Sequence, residues 1–244
     1  MIIKTKAIVI RTVDFQESSK IVTVLTEEHG KVALIAKGAR SQKSKYGHLL
    51  QVMNELEILY YFKPGRDVQN LSQAENLVKR NFLFTDYDIM MSGFRILEWM
   101  NKLHLPDHES DTIFHLLSKV LETLDKTATI NEGLYPKFLI RITQIMGYEP
   151  NYTECAGCEK QSHEFGENEE LGISIKSGQL YCNDCLRNFK IDYHVTTPVI
   201  NMMNKWLFPN QFPTAKNGTN ETLIYQNIQQ ILESHLNYHL ELKH

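Results

Sequence analysis

Apolar and polar residues alternate with a period of two through most of the first eighty positions, the signature of half-buried strands. The alternation predicts strands over 8–13, 21–25, 32–36 and 49–62, and a short fifth after Asp67. Gly30 in EEHGK suits a hairpin between the second and third, and Pro64-Gly65 a turn before the fifth. A strand of about ten residues can bend to serve both halves of a small closed sheet, so five strands here point to an OB-type or SH3-like barrel.

From Leu83 the period changes to about 3.6, the spacing of an amphipathic helix. Thr85 and Asp88 have capping-box spacing, Ile89, Ile96, Met100 and Leu103 form a stripe, and Pro106 ends it. Ile113, Leu116, Leu117, Val120, Leu121 and Leu124 mark a second helix. A third is expected over 134–146, with Phe138, Ile142 and Ile145 inward and Gly147 as carboxyl cap. Thr197-Pro198 opens a fourth, expected to bury Val199, Met202, Met203 and Trp206. A last helix carries Leu223, Ile224, Ile228, Ile231, Leu232 and Leu236. Core packing accounts for all of these stripes, and no internal repeat is present.

Composition adds limits. With 244 residues, 42% hydrophobic and 23% charged, the chain reads as globular and not as disordered or collagen-like. No apolar run approaches the roughly 20 residues of a membrane-spanning helix. Lys4 and Lys6 fall where a signal peptide would be apolar, so a cytosolic protein is expected. The formal net charge of −3 conceals an asymmetry: residues 1–80 carry 13 Lys/Arg against 8 Asp/Glu, and the remainder 13 against 21. A basic front precedes an acidic back, which permits a polyanion-binding amino-terminal module.

All four cysteines occur as two CxxC pairs, Cys155/Cys158 and Cys182/Cys185, with 23 residues between the pairs. Each CxxC turn aims two thiolates at one point, and two turns complete the four sulfurs of a tetrahedral Zn²⁺ site. Between them Leu171, Ile173 and Ile175 alternate, and Ser177-Gly178 and Leu180-Tyr181 suggest a hairpin delivering the second pair. Two disulfides or a redox pair are the other readings; a reducing cytosol and the lack of a βαβ pattern weigh against them. Four thiolates leave no open coordination position, so the expected role is structural, with His163 and His194 outside the ligand set. The HxE…PCxxC deaminase pattern is missing, since Glu154 and Tyr181 stand where proline would.

No GxxxxGK[ST], GxGxxG, HExxH or GxSxG motif occurs in the sequence, and scattered helical carboxylates are better explained as solvated faces. A binding protein is therefore expected in preference to an enzyme. Lys37, Arg40, Lys43 and Lys45 place four cations in nine residues after a strand, with no acid among them. Such a loop at a barrel rim can track phosphates, while Phe15, Tyr46 or Tyr60 could stack bases.

The runs IVTVLTEEHGKVALIAKGARSQKS at 21–44, IMGYEPNYTECAGC at 145–158 and YCNDC at 181–185, in this order, resemble the RecO family of bacterial DNA repair and recombination proteins. The resemblance spans essentially the whole chain. It implies an α+β architecture: an amino-terminal OB-fold β-barrel over 1–80, then an α-helical domain over 81–150 and 190–244 that contains a four-cysteine, zinc-ribbon-like insertion at 151–189. It further implies a non-enzymatic mediator of the bacterial cytoplasm and nucleoid that binds single- and double-stranded DNA. Such a protein anneals complementary strands coated with single-strand-binding protein and, with RecR, helps load RecA onto gapped DNA. Carried over by motif, DNA-binding roles fall on Lys37, Arg40, Lys43 and Lys45, with Lys20 and Lys31 as flanks, and one structural Zn²⁺ on the four cysteines. Lys137 and Arg141 are candidates for gripping the acidic-hydrophobic carboxyl-terminal tail of single-strand-binding protein. Two other classes stand beside this reading: a zinc-containing nucleic-acid-processing hydrolase, and a protein-binding scaffold.

Overall fold

A computed structural model describes residues 1–42, 44–78, 80, 83–126, 131–208 and 221–241, and the chain divides into two compact units, 1–130 and 131–244. In the first unit β1 (Ile2–Phe15), β2 (Ser19–Thr26), β3 (Gly30–Ala36), β4 (Glu55–Tyr61) and β5 (Val68–Val78) close a barrel in the order β1-β2-β3-β5-β4. All neighbours are antiparallel except β3 and β5. This is the OB-fold arrangement. Alternate residues fill the interior, among them Val9, Val24, Leu34, Ile58 and Tyr60. Ile8 and Ile10 are buried as well, because α1 (Tyr87–Lys102) and α2 (Ser110–Lys126) pack on β1, and α2 also packs on β2. That second covering explains the unbroken apolar run from Ala7 to Ile10.

The barrel departs from the sequence expectation at three strands. The first runs from Ile2 to Phe15 and not over 8–13, because it pairs with β4 through its first half and with β2 through its second. The fourth begins at Glu55 and not at Leu49. The amides of Leu49 and Leu50 turn back onto the Tyr46 carbonyl, Met53 has φ 71°, and Asn54 donates to the His48 and Leu49 carbonyls. Leu50 and Tyr46 are apolar because they plug the core from a loop. The fifth strand is 11 residues long, its length concealed by its polar composition.

The first helix is capped by Asp86 and not by Thr85: its carboxylate accepts from the amides of Asp88 and Ile89 at 3.0 Å. The second unit contains α3 (Leu134–Ile145), β6 (Asn151–Cys155), β7 (Glu170–Ser174), β8 (Gln179–Tyr181), β9 (Tyr193–Thr196), α4 (Thr197–Leu207) and α5 (Glu221–Glu241). Its sheet runs β6-β8-β7-β9, and β7 and β8 form the expected hairpin. Ile228, Ile231, Leu232 and Leu236 of α5 are buried, whereas Leu223 at its start is 52% exposed. Trp206 is only half-buried, its ring stacked on Tyr225 with centroids 5.7 Å apart. No described helix is long and apolar enough to cross a membrane.

Candidate nucleic-acid interface and metal centre

The two CxxC pairs converge. All four Sγ atoms lie within 4.8 Å of one another, with Cys158 and Cys182 3.6 Å apart, and none is in a disulfide. Sulfurs about 2.3 Å from a tetrahedral ion stand about 3.8 Å from each other, so the spacing suits a metal. The knuckles are built by the backbone. Cys155 donates its amide to the Lys160 carbonyl, and Cys185 donates to the Cys182 carbonyl. A Cβ on Gly157 would come within 2.9 Å of Cys185 Sγ, so only glycine lets the first turn close over the second.

Electrostatics in the cluster is uneven. Burial pushes the Cys155 thiol up, but amide donors from Cys182, Gly157 and Cys158 outweigh it and hold its pKa at about 7. Burial raises Cys182 and Cys185; the neighbouring sulfurs add to it at Cys185, while at Cys182 the sulfurs of Cys155 and Cys158 raise it against the Cys185 amide and sulfur. Four converging sulfur donors of this softness can hold a metal ion and leave it no open position.

At one end of the barrel, the start of the β3–β4 loop and the β1–β2 turn are neighbours, because Lys20 pairs with both Asp14 and Ala36. Lys37 and Lys45 are exposed, and Lys45 Nζ stands 5.0 Å from the centre of the Tyr46 ring. Arg40 is exposed but tethered: it pairs with Asp14 at 3.3 Å and donates to the Gln16 carbonyl at 3.1 Å. Lys20 is half-buried on the adjoining strand. Lys43 lies outside the described residues. Lys31 is placed elsewhere: its ammonium donates to the carbonyls of Met100, Asn101 and Leu103 at 2.8, 3.2 and 2.5 Å, capping the carboxyl end of α1. Of the aromatics expected to stack bases, Tyr46 and Tyr60 are core residues, the former also donating to the Ser72 carbonyl, and only Phe15 is exposed.

Lys137 and Arg141 sit one turn apart on the exposed side of α3. Lys137 Nζ is 5.2 Å from the Trp206 ring centre, and Arg141 donates to Gln144 at 2.7 Å. His194 pairs with Glu170 at 2.9 Å.

Two constellations escape sequence reasoning. The buried Arg80 pairs with Glu55 at 2.7 Å and donates to the Met53 carbonyl, while Ser118 also donates to Glu55. Glu27, Asp111 and His115 gather their ligand-type atoms within 4.8 Å, but Lys6 already neutralises Glu27 at 2.7 Å and the other two are exposed. Arg80 and Glu55 are 25 positions apart, and Glu27 is distant in the chain from the Asp111/His115 pair one turn apart on α2, so the spacing of neither full set shows in the sequence.

Residues 1–79 match the family model "Recombination protein O N terminal", and 85–244 match "Recombination protein O C terminal". The DNA repair protein RecO of Salinibacter ruber is 34% identical over 183 residues, covering 75% of this chain and 68% of that one. The Chlorobium limicola protein of the same name is 34% identical over 155 residues, 64% of this chain and 59% of its own length. That of Halalkalibacterium halodurans is 29% identical over 207 residues, 82% and 75% of the two chains. The chain thus spans about three-fifths of the Chlorobium protein and about two-thirds of the Salinibacter one. With both family models matched in order along a barrel and a four-cysteine helical unit, the chain belongs to the RecO family.

Proposed function

We propose that this chain is a DNA repair and recombination mediator, a binding protein of the bacterial cytoplasm and nucleoid with no catalytic turnover of its own. It holds single- and double-stranded DNA, anneals complementary strands coated with single-strand-binding protein and, with RecR, helps load RecA onto gaps. The observation that supports this reading best is the exposure of Lys37 and Lys45, without carboxylate partners among the described residues, on the β3–β4 loop of an OB barrel in a RecO-family chain. Annealing requires two polyanions to be neutralised while their base edges stay free. Phosphate contacts do this and carry no sequence information. Lys37, Arg40, Lys43 and Lys45 make them, with Lys20 as a flank; Lys31 is excluded because its ammonium serves α1.

In this reading Cys155, Cys158, Cys182 and Cys185 hold one Zn²⁺ that braces the second unit and takes no part in chemistry. Lys137, beside Trp206, and Arg141, one turn further along α3, receive the carboxylates of the single-strand-binding protein tail.

The test is annealing of complementary oligonucleotides precoated with the cognate single-strand-binding protein. Replacing Lys37, Arg40, Lys43 and Lys45 together by Glu abolishes annealing and leaves the folded spectrum intact. Annealing retained by that variant at low salt overturns the loop assignment. Shortened single strands in Mg²⁺ would instead favour a hydrolase.

A further inference from the structure

The four sulfurs of the second unit are not equally sheltered. Cys155 and Cys182 are wholly buried and Cys185 is only 9% exposed, whereas Cys158 stands in solvent. Its Sγ lies 3.6 Å from that of Cys182. One sulfur of the set is open to reagents, and a buried one is within reach of it.

Another approach to the cluster is closed by an aromatic ring. A Cβ on Gly157 would stand 2.9 Å from Cys185 Sγ and 3.0 Å from Phe189 Cε2, so the ring edge and this sulfur meet over the same glycine. The ring stacks on Tyr181 with centroids 4.4 Å apart, while 43% of Phe189 remains exposed. Its chain neighbours hold it there. A Cβ on Gly172 of β7 would collide with Leu186 and come within 2.8 Å of Ile191 Cδ1, so both side chains seat in the notch that glycine leaves. Between them, the Asn188 amide donates to the Cys185 carbonyl at 3.0 Å and tightens the turn Leu186–Asn188. Phe189 is thereby fixed from both sides of its segment.

Thiolates are oxidised according to their exposure, and the apolar shell around a metal site controls what reaches it. We propose that Cys158 is a modification site, the ligand at which peroxides and soft electrophiles enter the four-sulfur centre, and that Phe189 is the cover that confines their entry to it. This assignment rests on the metal-site reading above and extends it to the loss of the metal. Hydrogen peroxide oxidises the Cys158 thiolate to a sulfenic acid, and hydroxide leaves. The Cys182 thiolate then attacks that sulfur, forms the S–S bond and expels a second hydroxide. Two thiolates are oxidised and one peroxide is reduced, so electrons and atoms balance. Two sulfurs are left for an ion that takes four, and the ion departs.

The experiment uses the full chain loaded with Zn²⁺ and exposed to hydrogen peroxide or iodoacetamide. A chromogenic chelator reads metal release, and peptide mass mapping reads which cysteine has reacted. Iodoacetamide is expected on Cys158 first, and peroxide is expected to give a first disulfide between Cys158 and Cys182. Phe189→Ala is expected to speed release about tenfold and to spread early alkylation to Cys185, with Phe189→Tyr keeping the parent rate. First labelling at a buried sulfur, even labelling of all four, or a first disulfide that omits Cys158 overturns the modification site, and the unaltered chain alone decides this if Phe189→Ala does not fold. A folded Phe189→Ala that releases metal at the parent rate overturns the cover. If the unaltered chain takes up no Zn²⁺, the metal reading falls and this inference with it; if it takes up the ion and labels evenly, only this inference falls.

Discussion

The barrel and the four-cysteine element solve the same stability problem with different materials. The barrel closes on itself, leaves no unpaired edge, and fills its interior with side chains such as Val24, Leu34 and Ile58 that are almost wholly buried. The element around β6 to β9 has strands of only three to five residues. Leu171, Ile173 and Leu180 are buried there with Tyr152, Tyr181 and Val195, a core smaller than that of the barrel. In the proposed reading, a metal ion held where the four sulfurs meet adds to that small core. Carbon packing suffices where long strands close; where they are short, the proposed reading has metal ligation supplement it.

The largest effect expected from breaking that contrast is metal removal. Chelation removes on the order of 10 kcal/mol of folding free energy from the sulfur element. Hydrogen exchange should show amides over 151–188 becoming unprotected while those of the barrel strands keep their protection. Equal loss in both regions would refute the division of labour. The cysteine pKa values fix the sign of the pH dependence. Cys182 and Cys185 are raised, so both carry protons at neutral pH before metal enters. Reloading should then release at least two protons, and affinity should fall as the medium is acidified.

Next in size is the one buried ion pair among the described residues of the barrel unit. Arg80→Met leaves the Glu55 carboxylate buried with only Ser118 donating to it, at 2.8 Å. Removing one partner of such a pair costs about 3–5 kcal/mol, and replacing both with apolar residues costs far less. Denaturant unfolding followed on the barrel unit should show a large loss for Arg80→Met and a smaller one for Arg80→Met with Glu55→Leu. A single variant as stable as the parent would mean that the pair is solvated.

These two sites also mark how far the sequence could be read. The sulfur cluster was legible because a CxxC turn is local and two of them account for every cysteine. The barrel was legible because alternation is local too, although Leu49 and Leu50 imitate a strand while plugging the core from a loop. Arg80 and Glu55 are separated by 25 positions, and nothing near either announces the other. Tyr46 and Tyr60 looked like stacking rings because composition does not say which face of a strand or loop is inside.

Lys31 is the sharpest such case, and its variant has a smaller effect. It belongs to the motif that carries the basic loop, yet its ammonium closes a helix about 70 residues away. Cations at a helix carboxyl end contribute about 0.3–2 kcal/mol, so Lys31→Met should destabilise the barrel unit by about 1 kcal/mol and leave the DNA salt slope untouched. Burial lowers the Lys31 pKa below its ordinary 10.5, so the unfolded chain holds this proton more tightly. The residue's contribution to stability therefore rises with pH through the window below 10.5. A reduced salt slope in Lys31→Met would return the residue to the DNA interface.

The smallest effect tests whether Arg40 belongs to the fold or to the interface. Its pair with Asp14 is exposed on both sides, and such pairs contribute about 0.2–1 kcal/mol. Arg40→Ala should hardly shift the melting temperature, but it should lower the single-strand salt slope by about 0.7 if one phosphate contact is lost. Asp14→Asn supplies the opposite sign. The carboxylate competes with phosphate for the same guanidinium, so neutralising it should tighten DNA binding about twofold at low salt, with the gain fading as salt screens the competition. If Asp14→Asn instead weakens binding along with stability, the pair is a clamp between the β1–β2 turn and the basic loop. The cation would then act on DNA only by holding Lys37 and Lys45 in place.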